Sequence, residues 1–548
     1  MSGRARYPIA AALVLFGAAA RAQSPTTAPA AAAAPDLDPD WLGKTTPEQL
    51  SDASDAQLKF VAFFFTRAEA SNVAVQNDLL AGRVGGRLFG SNTATTSPAT
   101  SFFAEQRFVP FFQLEPRLLD HWARLRASFQ IDFTWGDSAF GTGGNFGGAI
   151  GARQINLETS NLNVELNLPL PGWYVTVGLQ RLVDNPRDPY RTPFSTLAYT
   201  GTRLAFWGSD AVGVSVYGRI PRQIFKLGAF NLYENDIAKD DNVYLFEAMT
   251  DRDLGRMLHV GFQARYVRDT SSGAGGIAVV GQGPGSALPE YMGGFRFPLG
   301  NSIYNAHVVW LTMDMSYNPE FAVGRWGASA FAVLNTGEIL SAPAVQIMSR
   351  AVAATPLTRA ATIAGFAGNA RLGYRYGATR TDRVDAEVMY TSGDGNGIND
   401  KVYSGVITGN TWGVPAGLYV TSGAYLLLPH PNIINRISTA VFDISNLGLG
   451  LTSATLNASY DFVPNVLTGK LGAAAGFSNI APASGGHFIG LEGNASLVYR
   501  LRFGVTLEVH GAYLKLGDFY DAPSVVALGG GRPRDPWMTM LALKWLVL

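Results

Sequence analysis

The stretch NLNVELNL, from Asn161 to Leu168, alternates polar and apolar residues without a fault. Residues 169–172 then form a Pro/Gly turn, and the run from Trp173 to Gln180 alternates again. A period of two indicates a β-strand with two different faces. Two such runs around a Pro/Gly turn predict a β-hairpin, which fits either a soluble sandwich or a membrane barrel.

The same alternation recurs along the chain, in runs that begin at Ala123, Ala211, Arg256, Asn369, Arg383 and Arg502. These runs span about 9–13 residues, the length with which a tilted strand crosses a bilayer, whereas ordinary strands have about 5–6. Their apolar faces carry aromatic residues near the ends, namely Trp135, Trp173, Tyr266, Tyr376, Tyr390 and Tyr513. A sheet in lipid must close on itself, so the apolar faces are expected to meet lipid and the polar faces a wet lumen.

The pattern therefore predicts an all-β fold: a closed antiparallel transmembrane β-barrel over residues 58–548, with about 18 strands in a range of about 16–20. Short periplasmic turns and long extracellular loops are expected.

Residues 270–294 and 340–365 are the long irregular segments. The second predicts an amphipathic helix around Val345 to Val352. The sequence leaves open whether this segment folds inward as a constriction or plug, or forms an exposed loop.

Composition supports this interpretation. The chain has 548 residues, no cysteine, and 42 basic against 42 acidic residues. Such a balance points to no nucleic acid and to no polybasic membrane contact. Charged residues make up only 15%, below the usual figure of about 25%, which suits a protein whose outer surface does not face water.

The N-terminus predicts export. Two arginines precede an apolar run over residues 9–20, and the Ala-Arg-Ala that ends at Ala22 fits a cleavage site. Residues 1–22 are therefore expected to be a signal peptide, cleaved after Ala22. Residues 23–57 predict an Ala/Pro-rich linker and a short periplasmic helix that begins near Thr46. With the barrel pattern, this places the protein in the bacterial outer membrane.

Strand phase predicts which charges face the lumen. Nine arginines point inward: Arg117, Arg124, Arg126, Arg203, Arg219, Arg265, Arg371, Arg375 and Arg500. Eight acids do the same: Glu115, Asp132, Glu165, Asp314, Asp385, Glu387, Glu492 and Glu508. A conduit for a polyanion should have a clear excess of positive charge, so this near balance fits a porin with opposed charge ladders at least as well. Arg371 and Arg375 either belong to a substrate path or pair with Asp385 and Glu387 across a hairpin.

Three stretches resemble the bacterial alginate export family of outer-membrane barrels. They are GGHFIGLEGNASLVYRLRFGVTLEVHGAYLKLGDFYD from Gly485, AEVMYTSGDGNGIND from Ala386, and VGLQRLVDNPRDPYRTPFSTLAYTGTRLAF from Val177. The resemblance implies an 18-stranded barrel that conducts an anionic exopolysaccharide along a path lined by arginines. Its expected partners are outer-membrane lipids, an anionic saccharide or small solutes, and periplasmic export components.

No catalytic or cofactor motif is evident. The six histidines lack zinc-ligand spacing, and no G-x-S-x-G elbow occurs. The loop GDGNGIND offers Asp394 and Asp400 as a weak calcium candidate, although its sixth position is not the glycine of an EF-hand. The function predicted first is an alginate-export-like channel, without a cofactor. The alternative is a general or solute-selective passive porin, and an outer-membrane enzyme is the least favoured reading.

Overall fold

The computed structural model describes residues 57–75, 84–90, 94–116, 119, 122–135, 155–182, 191, 209–234, 241–255, 257–273, 293–319, 321–347, 350–408, 421, 423–434, 436–526 and 531–547. The predicted signal peptide, linker and periplasmic helix, which fall before Gln57, lie outside these residues.

In the part of the chain that the structure describes, the regular elements are strands and the short 3₁₀ helix Asp518–Asp521. The first eleven strands are β1 (Leu58–Val75), β2 (Val84–Arg87), β3 (Ala94–Leu114), β4 (Ala123–Thr134), β5 (Ile155–Asn167), β6 (Trp173–Leu182), β7 (Ser209–Ile220), β8 (Gln223–Tyr233), β9 (Val243–Asp253), β10 (Leu258–Asp269) and β11 (Ser302–Tyr317). The others are β12 (Trp326–Ile347), β13 (Arg350–Ala353), β14 (Thr358–Arg375), β15 (Arg383–Thr391), β16 (Val402–Tyr403), β17 (Arg436–Thr439), β18 (Leu451–Val463), β19 (Leu467–Ser478), β20 (Phe488–Arg502), β21 (Val505–Leu516) and β22 (Trp537–Val547). Among the residues that the structure describes, no helix is long and apolar enough to cross a bilayer.

Eighteen strands close into a barrel in which every neighbouring pair is antiparallel. The short strands β2, β13, β16 and β17 stand outside this wall. The first and last strands form the closing seam, where Phe64 pairs with Trp545 and Ala68 with Leu541. Closure satisfies the backbone groups that an open sheet edge would leave unpaired in lipid. The predicted all-β transmembrane barrel of about 18 strands is confirmed.

The two faces of the hairpin β5–β6 differ as predicted. Leu162 and Val177 are 51% and 43% exposed, whereas Asn161 and Thr176 are only 1% and 3% exposed. Apolar side chains thus cover the outside of the wall and polar side chains point into the barrel, the reverse of a soluble protein. Gly172 ends the turn between these strands at φ +80°, and a Cβ there would lie 2.7 Å from the carbonyl oxygen of Arg219.

The two ends of the barrel have different connections. Short turns join β5 to β6, β7 to β8, β18 to β19 and β20 to β21, all at the end where β1 begins and β22 finishes. Long segments at the other end join β10 to β11 and β15 to β18. This is the asymmetry of outer-membrane barrels, in which the short turns are periplasmic.

The helix predicted around Val345 to Val352 is wrong. β12 continues to Ile347 and pairs with β13 in a hairpin that matches Ile347 with Arg350 and Val345 with Val352. β-branched residues favour the extended ladder, which carries on directly from β12. Val345 and the described residues around it are exposed or half-buried. The exposed-loop alternative therefore holds for this segment.

A different connection folds inward. Residues 392–450, between β15 and β18, are called the inner segment here. Its described residues include long buried runs, such as residues 423–430 and 439–446. Many of them contact side chains that point into the barrel, as set out below.

Candidate functional site

The inner segment packs on the inside of the barrel through a hydrophobic core. Leu426, Leu427 and Leu428 are buried in one cluster with wall residues of β20, β21 and β22, including Ile489 and Leu514. A smaller cluster joins Ile434 of the inner segment to Phe65 of β1 and Ala542 of β22. Burial of these side chains stabilises the segment against this part of the wall by roughly 1.5–3 kcal/mol per large residue.

A buried carboxylate holds one part of the inner segment. Glu492 of β20 accepts hydrogen bonds from three consecutive backbone N–H groups, those of Tyr425, Leu426 and Leu427, at 2.8, 2.9 and 2.7 Å. The Asn494 amide donates to Glu492 at 3.0 Å and to the carbonyl of Gly423 at 3.1 Å. Residues 423–427 are therefore fixed to β20.

A buried ion pair holds another part of the same segment. Arg67 of β1 bonds Glu105 of β3 through Nε at 3.1 Å and Nη2 at 3.0 Å. The same guanidinium donates to the carbonyl oxygens of Asn432, at 2.8 Å, and Arg436. Glu105 in turn accepts the backbone N–H of Arg436 at 2.8 Å. Residues 432–436 are thereby attached to the seam strand and its neighbour.

Between these two attachments lies a pair of buried histidines. His510 of β21 contacts the Tyr425 hydroxyl at 2.8 Å and the Asn432 amide at 3.2 Å. The backbone N–H of Asn432 donates to Nδ1 of His430 at 3.1 Å. Burial, with the nearby charge of Arg67, lowers the pKa of His430 well below its usual value. His430 is therefore neutral at neutral pH and can accept that bond.

A further attachment fixes the inner segment on the side of β11 and β12. The Trp310 indole donates to the carbonyl of Ile407 at 2.8 Å, and the Ile407 N–H donates to Asn335 at 2.9 Å. Both wall side chains point inward and are almost fully buried. The inner segment thus contacts the wall from several directions, and it narrows the lumen.

Guanidinium groups converge on one carboxylate of the wall, next to the strands that hold residues 432–436. Glu165 of β5 bonds Arg126 at 2.7 Å, Arg124 at 3.3 Å and Arg191 at 2.9 Å. Arg124 also bonds Glu115 at 2.9 Å. The Arg191 guanidinium lies 4.1 Å from the ring centre of Tyr174, which places it within cation–π range. This cluster, called the Glu165 cluster below, includes two predicted lumen arginines and two predicted lumen acids.

A second charged network crosses β8, β9 and β10. Glu247 bonds Lys226 and contacts Arg265 at 3.4 Å, and all three side chains are buried. Arg265 also donates to Gln263 at 3.2 Å. A comparable pair joins Asp132 of β4 to Arg107 of β3 at 2.8 Å. The inner face of these strands therefore alternates cations with carboxylates.

The four charges predicted on β14 and β15 are only partly brought together. Arg371 pairs with Glu387 at 3.0 Å, and the two residues are cross-strand neighbours. Arg375 instead donates to the carbonyl of Gly324 at 3.0 Å, and Asp385 bonds Arg383 at 2.7 Å. Of the two arginines, only Arg371 therefore forms the cross-strand ion pair that the sequence offered as an alternative to a substrate path. Glu387 also accepts the hydroxyl of Thr421, which ties this hairpin to the inner segment.

The other predicted lumen residues are spread over the barrel. Arg500 donates to Thr468 at 2.8 Å, and Glu508 contacts Lys544 and His510, each at 3.0 Å. Arg219 is exposed near the short-turn end of β7. Arg117 and Arg203 lie outside the described residues.

The loop that was the weak calcium candidate is a turn held by hydrogen bonds between its own residues. Asp394 accepts the backbone N–H of Asn396 at 2.9 Å and of Ser404 at 2.9 Å. Asp400 accepts Val402 N–H at 3.0 Å and the Asn396 amide at 3.1 Å. Within the described ranges, no group of three His, Cys, Asp or Glu side chains is placed to hold a metal.

Several cations in these networks are missing from the predicted lumen set, namely Arg67, Arg107, Arg191, Lys226, Arg383 and Lys544. Arg67 is missed because three consecutive phenylalanines just before it put apolar groups on both faces of β1, which hides the alternation. One of them, Phe65, points inward and packs on the inner segment. Arg191 is in a connection, where strand phase gives no direction. Strand phase could have assigned Lys226 to the lumen, because its neighbour Leu227 faces outward at 60% exposure and successive residues of a strand point to opposite faces.

These features form a membrane-crossing wall whose interior holds both networks of paired charges and the packed inner segment. Fixed charges of both signs can replace part of the hydration of a passing polar solute. A lumen narrowed by protein limits the size of what passes.

No family model matches the chain, and none of the curated proteins matches it. Among solved structures, the chain is similar to Acinetobacter baumannii OccAB1, at 10% identity and a TM-score of 0.46, over 89% of this chain and 97% of that chain. It is also similar to Pseudomonas aeruginosa OccK2 (OpdF) in complex with glucuronate, at 12% identity and a TM-score of 0.44, over 89% and 98% of the two chains. A third is the outer membrane protein OpdK of Pseudomonas aeruginosa, at 12% identity and a TM-score of 0.42, over 89% and 99%.

Similarities of this extent assign no function to the chain. None of these three proteins is described as an alginate exporter. The predicted membership of the alginate export family therefore stays a prediction without support from them.

Proposed function

We propose that the chain is an outer-membrane porin through which small water-soluble solutes diffuse, and that the inner segment defines its narrowest part. The observation that carries this proposal is the position of the inner segment, which is bonded to inward-facing side chains of β1, β3, β11, β12, β15, β20 and β21. A barrel of about 16–18 strands has an aqueous channel, and protein inside it reduces the bore.

The bacterial outer membrane is the proposed location, because closed barrels with an even number of antiparallel strands are typical of it. The outward apolar side chains, such as Leu162 and Leu541, suit contact with lipid. A passive channel of this kind needs no cofactor and no periplasmic export component.

Anionic solutes are the proposed preference. Three guanidinium groups meet at Glu165, and two of them, Arg124 and Arg191, retain partial exposure. Partly exposed guanidinium groups at a shared carboxylate offer weak, exchangeable contacts to a carboxylate or phosphate in transit. Tight binding would trap the solute, so weak contacts favour passage.

Export of an anionic polysaccharide is the second candidate, and the Glu165 cluster is also the observation that favours it. A polymer must pass through the lumen as a continuous chain, and the inner segment obstructs that path. The porin is therefore preferred over the exporter, and the inner segment is the feature on which they differ.

Single-channel recording and liposome swelling with the refolded barrel test the proposal. A porin gives a steady conductance and admits small sugars and small acids faster than larger ones. A polyuronate should block the current without crossing. Passage of the polyuronate into liposomes would support the exporter instead. A correctly folded barrel that conducts nothing would contradict both channel proposals.

A further inference from the structure

Glu492 makes an unusual set of contacts for a lumen carboxylate. Its side chain is fully buried, and its two oxygens accept the N–H groups of three residues in a row, Tyr425 to Leu427. These residues belong to no strand or helix, so their N–H groups have no ladder partner. We propose that Glu492 is the positioning residue of the constriction, which holds residues 423–427 at the wall and thereby sets the bore. This inference rests on the proposed porin function.

Only a carboxylate suits this position. An ionised carboxylate has about four acceptor sites, whereas the side chain of glutamine has one carbonyl oxygen and an NH2 group that cannot accept. Replacing Glu492 with glutamine would direct an N–H donor at the backbone donors of the inner segment. Buried N–H groups without an acceptor are costly, so residues 423–427 would leave the wall to find water.

The rest of the barrel does not depend on this side chain. The backbone of Glu492 pairs with Ala474 and Leu514 on the neighbouring strands, and these ladders do not involve its carboxylate. The inner segment also keeps its attachment through Arg67 and Glu105. Loss of the Glu492 carboxylate is therefore expected to release one stretch of the segment inside an intact barrel.

The first test compares two variants that each remove one lumen charge. Glu492→Gln should lower the mean single-channel conductance by about twofold or more, because the released stretch moves from the wall into the bore. Asp385→Asn is the matched control. Asp385 is a lumen acid that is 40% exposed and bonds Arg383, and its replacement should leave the conductance within the wild-type range. Folding of each variant is checked by circular dichroism and by its shift on gels without heating.

The second test ties the stretch back to the wall. The chain has no cysteine, so an introduced pair is unambiguous. A Cβ built on Gly423 lies 2.6 Å from the Cβ of Thr455 on β18, and a shift of about 1 Å would reach the usual Cβ separation of a disulfide. In Glu492→Gln with Gly423→Cys and Thr455→Cys, oxidation should restore the wild-type conductance, and reduction should lower it again. A pure charge effect of Glu492→Gln would not respond to the disulfide.

A third measurement does not require conduction. With Ala424→Cys alone, maleimide labelling from the lumen should be slow because Ala424 is fully buried, and addition of Glu492→Gln should speed it about tenfold or more, as expected for loss of a protected local structure. If Glu492→Gln does not fold, Glu492→Asp replaces it, since its shorter carboxylate cannot reach all three N–H groups. Equal labelling rates, or a lowered conductance that oxidation leaves unchanged, would overturn the positioning role. A wild-type barrel that does not conduct but shows the labelling difference would contradict only the porin function.

Discussion

The inward faces of β4 and β5 differ sharply from those of β21 and β22. On β4 and β5 the inward side chains include Arg124, Arg126, Asn163 and Glu165. On β21 and β22 they include the apolar side chains of Leu514, Met538, Met540 and Ala542, beside the polar side chains of Glu508, His510 and Lys544. The outward faces of the two regions are alike, with Leu125 and Val164 exposed in one and Leu541 and Trp545 in the other.

This difference shows that the residues on each face of a strand match the environment that the face contacts. Lipid covers the outside everywhere, so outward positions are apolar all round the barrel. Inside, the polar region faces charged networks, whereas the apolar region packs on the inner segment through Leu426 to Leu428. Apolar residues at inward positions of a strand therefore mark where the inner segment packs on the wall.

The largest expected effect comes from the buried attachment on the seam. Arg67→Ala leaves Glu105 buried without its ion partner and should cost about 3–5 kcal/mol of unfolding free energy. Arg371→Ala is the matched change in a pair that remains 28% exposed, and it should cost no more than about 1 kcal/mol. Urea titration in lipid vesicles measures both. Equal costs would mean that the attachment to the inner segment adds nothing.

Arginine on the outer face should be costly in both regions. Val177 lies near the middle of β6 and Leu541 near the middle of β22, and both are exposed to lipid. Val177→Arg and Leu541→Arg should each lower the unfolding free energy by about 2–4 kcal/mol. Asn167→Arg, on the inner face near the short turns, is the control and should be tolerated. A refolding titration in which the control is equally damaging would reverse the assignment of faces.

Truncation of an inner apolar residue should separate the two faces of one region. Leu514→Ala opens a cavity against the inner segment and should cost about 2–3 kcal/mol. Leu541→Ala, on the lipid face of the same region, leaves no cavity because lipid chains fill the space, and its cost should be smaller. The same vesicle titration compares them. If the two losses match, the inner segment does not pack on Leu514 as described.

The smallest effects on stability, but a clear effect on selectivity, are expected at β14 and β15. Arg371→Glu with Arg375→Glu should move the reversal potential in a salt gradient toward cation preference. Glu387→Ala should move it toward anions by freeing Arg371, and Asp385→Ala should have less effect on Arg371 because Asp385 bonds Arg383. An unchanged reversal potential in all variants would make these charges purely structural.

The period-two alternation was sufficient to predict the fold. The hairpin at Asn161 and the runs at Ala123 and Arg383 have the predicted faces, because burial on one side and lipid on the other act on every residue of a strand. Strand number followed from chain length. The helix at Val345 failed because a short apolar stretch rich in β-branched residues fits a ladder extension as well as a helix.

The site was less predictable. Strand phase places Arg126 and Glu165 on inward faces, but it does not give the register that makes them partners. The convergence of Arg191 on Glu165 depends on a connection, and the contacts of Glu492 depend on a segment 65–67 residues earlier in the chain. Such contacts follow from how the barrel closes, which local patterns do not encode.

The seam has a consequence for the order of assembly. Arg67 sits on the first strand, 365 residues before the Asn432 carbonyl that it holds, and that strand meets β22 only when the chain is complete. Contacts this distant in sequence form late, because the intervening loop must close first. Capture of the inner segment and sealing of the wall are therefore expected to be one concerted event at the end of folding. A barrel that has not completed this step would leak through the open seam and through the unrestricted bore. Correct docking of the final strand therefore also protects the permeability barrier of the membrane.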